Sequence, residues 1–153
     1  MFLHRIAKSF ENANIPYALV GGYAVALHGA VRGTIDVDII ISLEKSAFEN
    51  AETLLRKMGL QSRLPIQASE LFDNLDMYIQ EKNLIAWSFV NPNNPMECID
   101  IIITTDVREK NIETKHLTQQ NIQILSKSDL IAMKKEAARP QDIEDVKALE
   151  QLL

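Results

Sequence analysis

An α/β (α+β) domain with a mixed β-sheet, flanking helices and a C-terminal helical pair is the fold class this sequence predicts. Three observations carry it. Segments with apolar residues at helical spacing alternate with short runs of β-branched residues. Ile39, Ile40 and Ile41 stand in succession, which places both faces of their strand under cover, as in a sheet that carries helices. Two apolar runs flank the turn sequence Asn91-Pro92-Asn93-Asn94-Pro95, the signal of a hairpin. With 153 residues, the chain is expected to form one domain, residues 1–153, with 126–153 its C-terminal helical element. That length suffices for one hydrophobic core.

The elements follow in order. Leu3, Ile6, Ala7 and Phe10 lie at helical spacing, so residues 2–13 form an amphipathic helix that stops before Pro16. Tyr17 to Val20 is a short apolar strand, broken by Gly21-Gly22. An alanine-rich stretch from Tyr23 to His28 is a short helix, and Val37 to Ile41 is the next strand. Ser46 and Glu49 have the spacing of a capping box. The helix behind them runs to about Met58, with Phe48, Ala51, Leu54, Leu55 and Met58 on one side and Gly59 at its end. Leu60 to Arg63 is a strand; residues 65–82 give no assignment. Residues 83–90 and 96–104 are the two arms of the hairpin. Residues 105–120 are polar and loop-like, and Ile122 to Leu125 is a last short strand. Ser126 with Asp129 marks a helix start. That helix reaches about Ala138, and Pro140 opens another. Its apolar stripe is Ile143, Val146, Leu149 and Leu152 or Leu153.

Composition narrows the class. Hydrophobic residues at 46% and charged residues at 24% are ordinary for a globular protein. A net charge of −5, from 16 basic and 21 acidic side chains, weighs against a broad nucleic-acid-binding surface. The one cysteine, Cys98, excludes an intrachain disulfide and fits a reducing compartment. No apolar run approaches the roughly 18 residues of a membrane span, and the N-terminal residues lack the apolar core of a signal peptide. The expectation is a cytoplasmic protein with no membrane partner.

The stretch "VGGYAVALHGAVRGTIDVDIII", Val20 to Ile41, carries the chemistry. A strand that ends in Gly21-Gly22 and turns into a helix exposes backbone N–H groups with no partner in the helix. Those donors and the helix dipole favour an anion, typically phosphate, although the same turn also occurs with no ligand. Asp36 and Asp38, as i and i+2 in extended chain, share a face, their Cα atoms roughly 6.6 Å apart. Two carboxylates so close repel unless a cation lies between them, and hard oxygen ligands suit magnesium or manganese. Two solvated acids at a strand start are the plainer alternative. Asp100 stands among Ile99, Ile101, Ile102 and Ile103, where an isolated charge is costly. Either it pairs with a basic side chain such as Arg32, or its strand lies beside the Asp36–Ile41 strand. In the second case three carboxylates meet on one surface, a set that can hold two metal ions.

Gly21-Gly22, then Asp36-Val37-Asp38 after a short helix, then Asp100 on a later strand, resembles the DNA polymerase β-like nucleotidyltransferase superfamily. The opening stretch is especially similar to small bacterial and archaeal members, including AbiEii-like toxins of toxin–antitoxin systems and some antibiotic nucleotidyltransferases. The segment "DLIAMKKEAARPQDIEDVKAL" also resembles the toxin-like group, with Lys134, Arg139, Asp142 and Asp145 at the matching places. Lysines on a solvated helix face and acids opening a helix are the plainer account of that segment. The resemblance covers residues 17–41, 96–104 and 128–149. It implies the nucleotidyltransferase fold and transfer of a nucleoside monophosphate from a nucleoside triphosphate to an acceptor hydroxyl. Catalytic and metal-binding roles fall to Asp36, Asp38 and Asp100, with Mg2+ or Mn2+ as cofactor, two ions in all. Nucleotide contacts fall to Gly21, Gly22, Arg32, Thr34, Lys134 and Arg139, and His28 is a structural contact rather than a base. Acceptors in such a reading are a tRNA, a protein or a small molecule, and a toxin-like member has an antitoxin partner. Two other readings stay open: a nucleotide- or partner-binding module of the same fold with little turnover, and a glycosyltransferase using its Asp-x-Asp pair, which the Gly-Gly spacing and the short chain oppose.

Overall fold

The computed structural model describes residues 1–152. In chain order the elements are α1 (Phe2–Asn12), β1 (Tyr17–Val20), α2 (Gly21–Leu27), β2 (Val37–Ile41), α3 (Lys45–Lys57), β3 (Gln61–Ser62), α4 (Ala68–Asp73), α5 (Leu75–Gln80), β4 (Ala86–Asn91), β5 (Asn94–Asp106), β6 (Ile112–His116), β7 (Asn121–Leu125), α6 (Lys127–Ala137) and α7 (Pro140–Glu150). The strands form one mixed sheet in the order β3-β4-β5-β2-β1-β7-β6. β2 runs parallel to β5, and β1 parallel to β7. The neighbours β1–β2, β3–β4, β4–β5 and β6–β7 are antiparallel. The expected sheet, its hairpin and the C-terminal helical pair are all present.

Alternation along each strand divides the sheet into two faces. Leu19, Ile39, Ile101 and Trp87 stand in register across β1, β2, β5 and β4, and all four are fully buried. Phe48 of α3 stacks on Trp87 at 5.5 Å, Phe72 of α4 meets Phe48 edge-on at 5.3 Å, and Phe10 of α1 meets Tyr17 edge-on at 5.6 Å. The helices α1, α3 and α4 therefore close this face. Ile40 points to the opposite face and is also fully buried, where α2 packs on β1 and β2. This is why three isoleucines can follow one another: the strand has an apolar layer on each side.

Further along the second face, toward β5 and β4, the cover ends. Ala86, Ser88, Val90, Asp100 and Ile102 are only half-buried, while their alternates Trp87, Phe89, Ile99 and Ile101 are fully buried. An open strip of sheet thus begins where the helical cover of β2 stops, and the carboxylates stand at that boundary.

Several elements differ from expectation. The capping box at Ser46 and Glu49 is absent. The helix starts at Lys45 behind an extended Glu44, two residues before the expected cap at Ser46, and no side chain caps it; Arg108 pairs with the Glu44 carboxylate at 2.8 Å. α2 begins at the glycines themselves rather than at Tyr23. Residues 65–82 contain the short helices α4 and α5. Residues 105–120 are not loop: a short 3-10 turn, Val107–Glu109, precedes β6. β6 is an edge strand, and an edge strand exposes polar side chains on both faces, which erases the alternation. On α7, Ile143 is exposed, and Asp142, Asp145, Val146 and Leu149 form the buried stripe instead. Leu152 is half exposed and Leu153 lies outside the described residues. No helix among the described residues is long and apolar enough to cross a membrane.

Candidate active site

The turn from β1 into α2 accepts only glycine at its first position. Gly21 has φ +68°, a left-handed conformation costly for other residues. A Cβ added there would lie 2.0 Å from Asp38 Oδ2. A Cβ on Gly22 would meet the Thr34 side chain at 2.8 Å and the Arg32 guanidinium carbon at 3.3 Å. The two glycines thus let Asp38 and the 28–36 segment close onto the start of α2. Gly21→Ala should cost about 2 kcal/mol, because it adds backbone strain of 1–2 kcal/mol to displacement of the Asp38 carboxylate. Gly33→Ala, with open space around the new methyl, should leave stability within about 0.5 kcal/mol. Urea unfolding of both variants checks the contrast, and equal losses would show that Asp38 yields freely.

The parallel register of β2 and β5 sets Asp38 directly beside Asp100. The Asp38 carboxyl is pushed up to about 7, first by burial, then by the charge of Asp100, a hydrogen bond with Asp100 and the charge of Asp36; Lys134 opposes the rise. Cys98, buried on β5, feels the same field. Burial and the charges of Asp100, Asp36 and Asp38 push its thiol up to about 11, against Arg63. Asp36 precedes β2 and is exposed; its carbonyl accepts a long hydrogen bond from Thr34 Oγ1 at 3.5 Å. One neighbour was not foreseen: Ser88 of β4, paired with Asp100, donates its hydroxyl to Asp100 Oδ1 at 2.5 Å.

A buried ionic cluster flanks the carboxylates. Lys134 Nζ lies 2.9 Å from Asp145 and 3.3 Å from Asp142, all three buried. Arg32 Nε reaches Asp145 Oδ1 at 2.9 Å, so Arg32 pairs with α7 and not with Asp100, Asp36 or Asp38. Arg139, largely exposed, bonds Asp142 through Nε at 2.7 Å, and the Asp142 carboxylate also accepts from the Arg139 backbone N–H at 3.1 Å. Burial raises both aspartates, yet hydrogen bonds from Arg139 to Asp142, and from Lys134, Arg32 and Gln141 to Asp145, outweigh it and hold both carboxyls below the usual range. The charges of Arg139 and Asp38 act on one another, as do those of Lys134 and Asp38. His28 Nε2 bonds the Leu125 carbonyl at 2.8 Å, a structural contact.

The donor set suits a hard divalent cation. Asp38 and Asp100 offer oxygen ligands side by side; burial first and then the neighbouring negative charge raise Asp38, and a dication would relieve the second of these. Among the described residues no three His, Cys, Asp or Glu side chains already converge as a metal site; Asp36 lies outside the strand, although its charge acts on Asp38.

No protein-family profile and no curated protein matches the chain. Solved structures do. The lincosamide antibiotic adenylyltransferase LnuA, in a lincomycin-bound crystal structure, matches with TM-score 0.67 and 15% identity over 99% of this chain and 96% of that one. The antibiotic-resistance factor ANT(2'')-Ia matches with TM-score 0.65 and 12% identity over 97% and 80%. An antigenic nucleotidyltransferase-like protein from Paracoccidioides brasiliensis matches with TM-score 0.62 and 18% identity over 98% and 74%. At these identities the likeness speaks for the architecture, and the conclusion is that this chain has the nucleotidyltransferase fold.

Proposed function

We propose that the chain, acting as a single domain, is a metal-dependent nucleotidyltransferase that moves a nucleoside monophosphate from a nucleoside triphosphate to an acceptor hydroxyl. The observation that carries this reading is the Asp38–Asp100 pair, side by side on adjacent parallel strands with Asp38 against Gly21, in a chain of this fold. Mg2+ or Mn2+ held by Asp36, Asp38 and Asp100 would neutralise triphosphate charge and make the acceptor oxygen more nucleophilic. Gly21 and Gly22 place backbone N–H groups against the phosphates. Arg32 and Thr34 border the same turn, and Lys134 and Arg139, whose charges act on Asp38, add fixed positive charge where phosphate charge would grow in the transition state. Asp100 orients the acceptor hydroxyl and takes its proton. The acceptor oxygen then bonds the α-phosphorus, and the bond to pyrophosphate breaks. Most of the rate comes from positioning and charge, which a rigid strand supplies well.

For the acceptor, small hydroxylated molecules of the antibiotic kind come first, because the antibiotic adenylyltransferase LnuA matches this chain over nearly its whole length. A toxin-like enzyme with an antitoxin partner, acting in the cytoplasm on tRNA or protein, is the second reading. The Lys134, Arg139, Asp142 and Asp145 cluster favours it. Incubation with each α-labelled nucleoside triphosphate and Mg2+, offered lincomycin, tobramycin or total tRNA, separates them by which molecule becomes labelled. Absence of label from every acceptor, with no pyrophosphate released in whole-cell extract, would remove the enzyme reading and leave a binding module.

A further inference from the structure

We propose that Ser88 is a positioning residue: its hydroxyl holds Asp100 Oδ1 toward β4 and so presents the other carboxylate oxygen to Asp38 and the cleft. The proposal rests on the nucleotidyltransferase reading above and names a residue of the same site. Ser88 lies on the neighbouring antiparallel strand, directly opposite Asp100, and its Oγ–Oδ1 distance is 2.5 Å. Cys98, two residues before Asp100 and on the same face, sets its thiol 4.0 Å from the same oxygen. The donors thus converge on Oδ1.

The position is pinned from behind. The Arg63 backbone N–H donates to the Ser88 carbonyl at 2.9 Å, so the Ser88 Cα is fixed between β3 and β5. Ala86 and Val90, its neighbours on that face of β4, have no polar side chain. Ser88 is therefore the β4 residue whose side chain can hold the carboxylate. The terminal torsion of an aspartate is broad and roughly two-fold. The two oxygens are equivalent, so a flip changes nothing; what the Ser88 donor fixes is the plane of the carboxylate, and without it that plane would swing within the broad well and face Asp38 productively only part of the time.

The test compares Ser88→Ala with Ser88→Thr, which restores a hydroxyl on a residue suited to strands. Three quantities are read: transfer kinetics, Mn2+ affinity of the nucleotide-free protein by calorimetry, and melting temperature. Loss of an outer-shell partner reduces metal affinity or activity about 10- to 100-fold. Ser88→Ala should therefore lower kcat about tenfold and weaken Mn2+ binding about tenfold. The nucleotide KM should stay within about twofold, and threonine should recover most of both losses. Wild-type kcat and Mn2+ affinity in Ser88→Ala would overturn the proposal. So would a loss that threonine does not repair, or a wild-type protein that binds no Mn2+. A wild-type protein that binds Mn2+ but transfers no nucleotide would sink the enzyme reading alone, and the Mn2+ comparison would still decide the role of Ser88.

Discussion

Asp38→Asn should abolish nucleotide transfer while raising the melting temperature of the metal-free protein. Asparagine keeps the shape of the side chain but removes its charge, and its carbonyl is a much poorer partner for magnesium than a carboxylate. Loss of a direct ligand should exceed the roughly 100-fold upper range seen for outer-shell partners. Stability moves the other way. The folded-state pKa of Asp38 is raised from 3.8 to about 7 by burial and by Asp100 and Asp36. Its favourable contribution is fully present below pH 4, where both states hold the proton, and is lost as pH rises toward 7. At pH 8 the wild type carries the whole cost of a charged, half-buried carboxylate, which the asparagine variant does not. The gain should be on the order of 2 kcal/mol, about 5 °C in melting temperature for a chain of this size. The two proteins should converge as pH falls from 7 to 4. Melting curves in chelator at pH 8 and pH 4, with transfer rates in Mg2+, check both halves. A variant that melts lower and still transfers would identify Asp38 as a salt-bridge partner and remove it from the chemistry.

The parts of this fold that were legible in the sequence are those where physical cost is local. Ile39 to Ile41 announce a covered strand because three adjacent isoleucines are unfavourable anywhere else. Asp38 and Asp100 mark a candidate site because charge beside such runs needs a reason, and the parallel register sets the two side by side. Ser126 announces a helix start because its hydroxyl accepts from the Asp129 N–H, three residues on. What stayed hidden depends on register and distance. Ser88 is an unremarked strand residue until antiparallel pairing sets it opposite Asp100. The Arg32–Asp145 pair joins residues 113 positions apart, and no local pattern encodes that. On α7 the expected apolar stripe fails at Ile143 because Asp142 and Asp145 take the buried side, satisfied by Lys134, Arg139 and Arg32. Periodicity cannot foresee buried acids, since their burial rests on partners from other elements. β6 was missed for a related reason, because an edge strand has no second face to keep apolar.

Asp145→Asn should be the most destabilising single change outside the apolar core. The Asp145 side chain is 2% exposed and pairs with Lys134 and Arg32 at 2.9 Å each. Removing its charge leaves Lys134, itself buried, with Asp142 at 3.3 Å as its remaining carboxylate. It also frees Arg32 from α7. Breaking a buried pair on one side costs about 3–5 kcal/mol, because the surviving charge keeps its desolvation penalty without its partner. That corresponds to a fall of about 10 °C in melting temperature. Lys134→Met, which removes the cation both aspartates share but leaves Arg139 on Asp142 and Arg32 on Asp145, should destabilise less. The pH dependence has a definite sign. The folded-state pKa of Asp145 is depressed, since its hydrogen bonds from Lys134, Arg32 and Gln141 outweigh burial. Its stabilising contribution is present above the unfolded value near 4 and is lost as pH falls through the folded value. Wild type should therefore lose stability faster than Asp145→Asn below pH 4, and the gap between them should narrow. Thermal melts from pH 8 to pH 2.5 test this directly. A variant within 1 kcal/mol of wild type at pH 8 would mean that water, not Asp145, satisfies Lys134. A constant gap across the acid range would mean that the carboxylate is not the group whose charge matters.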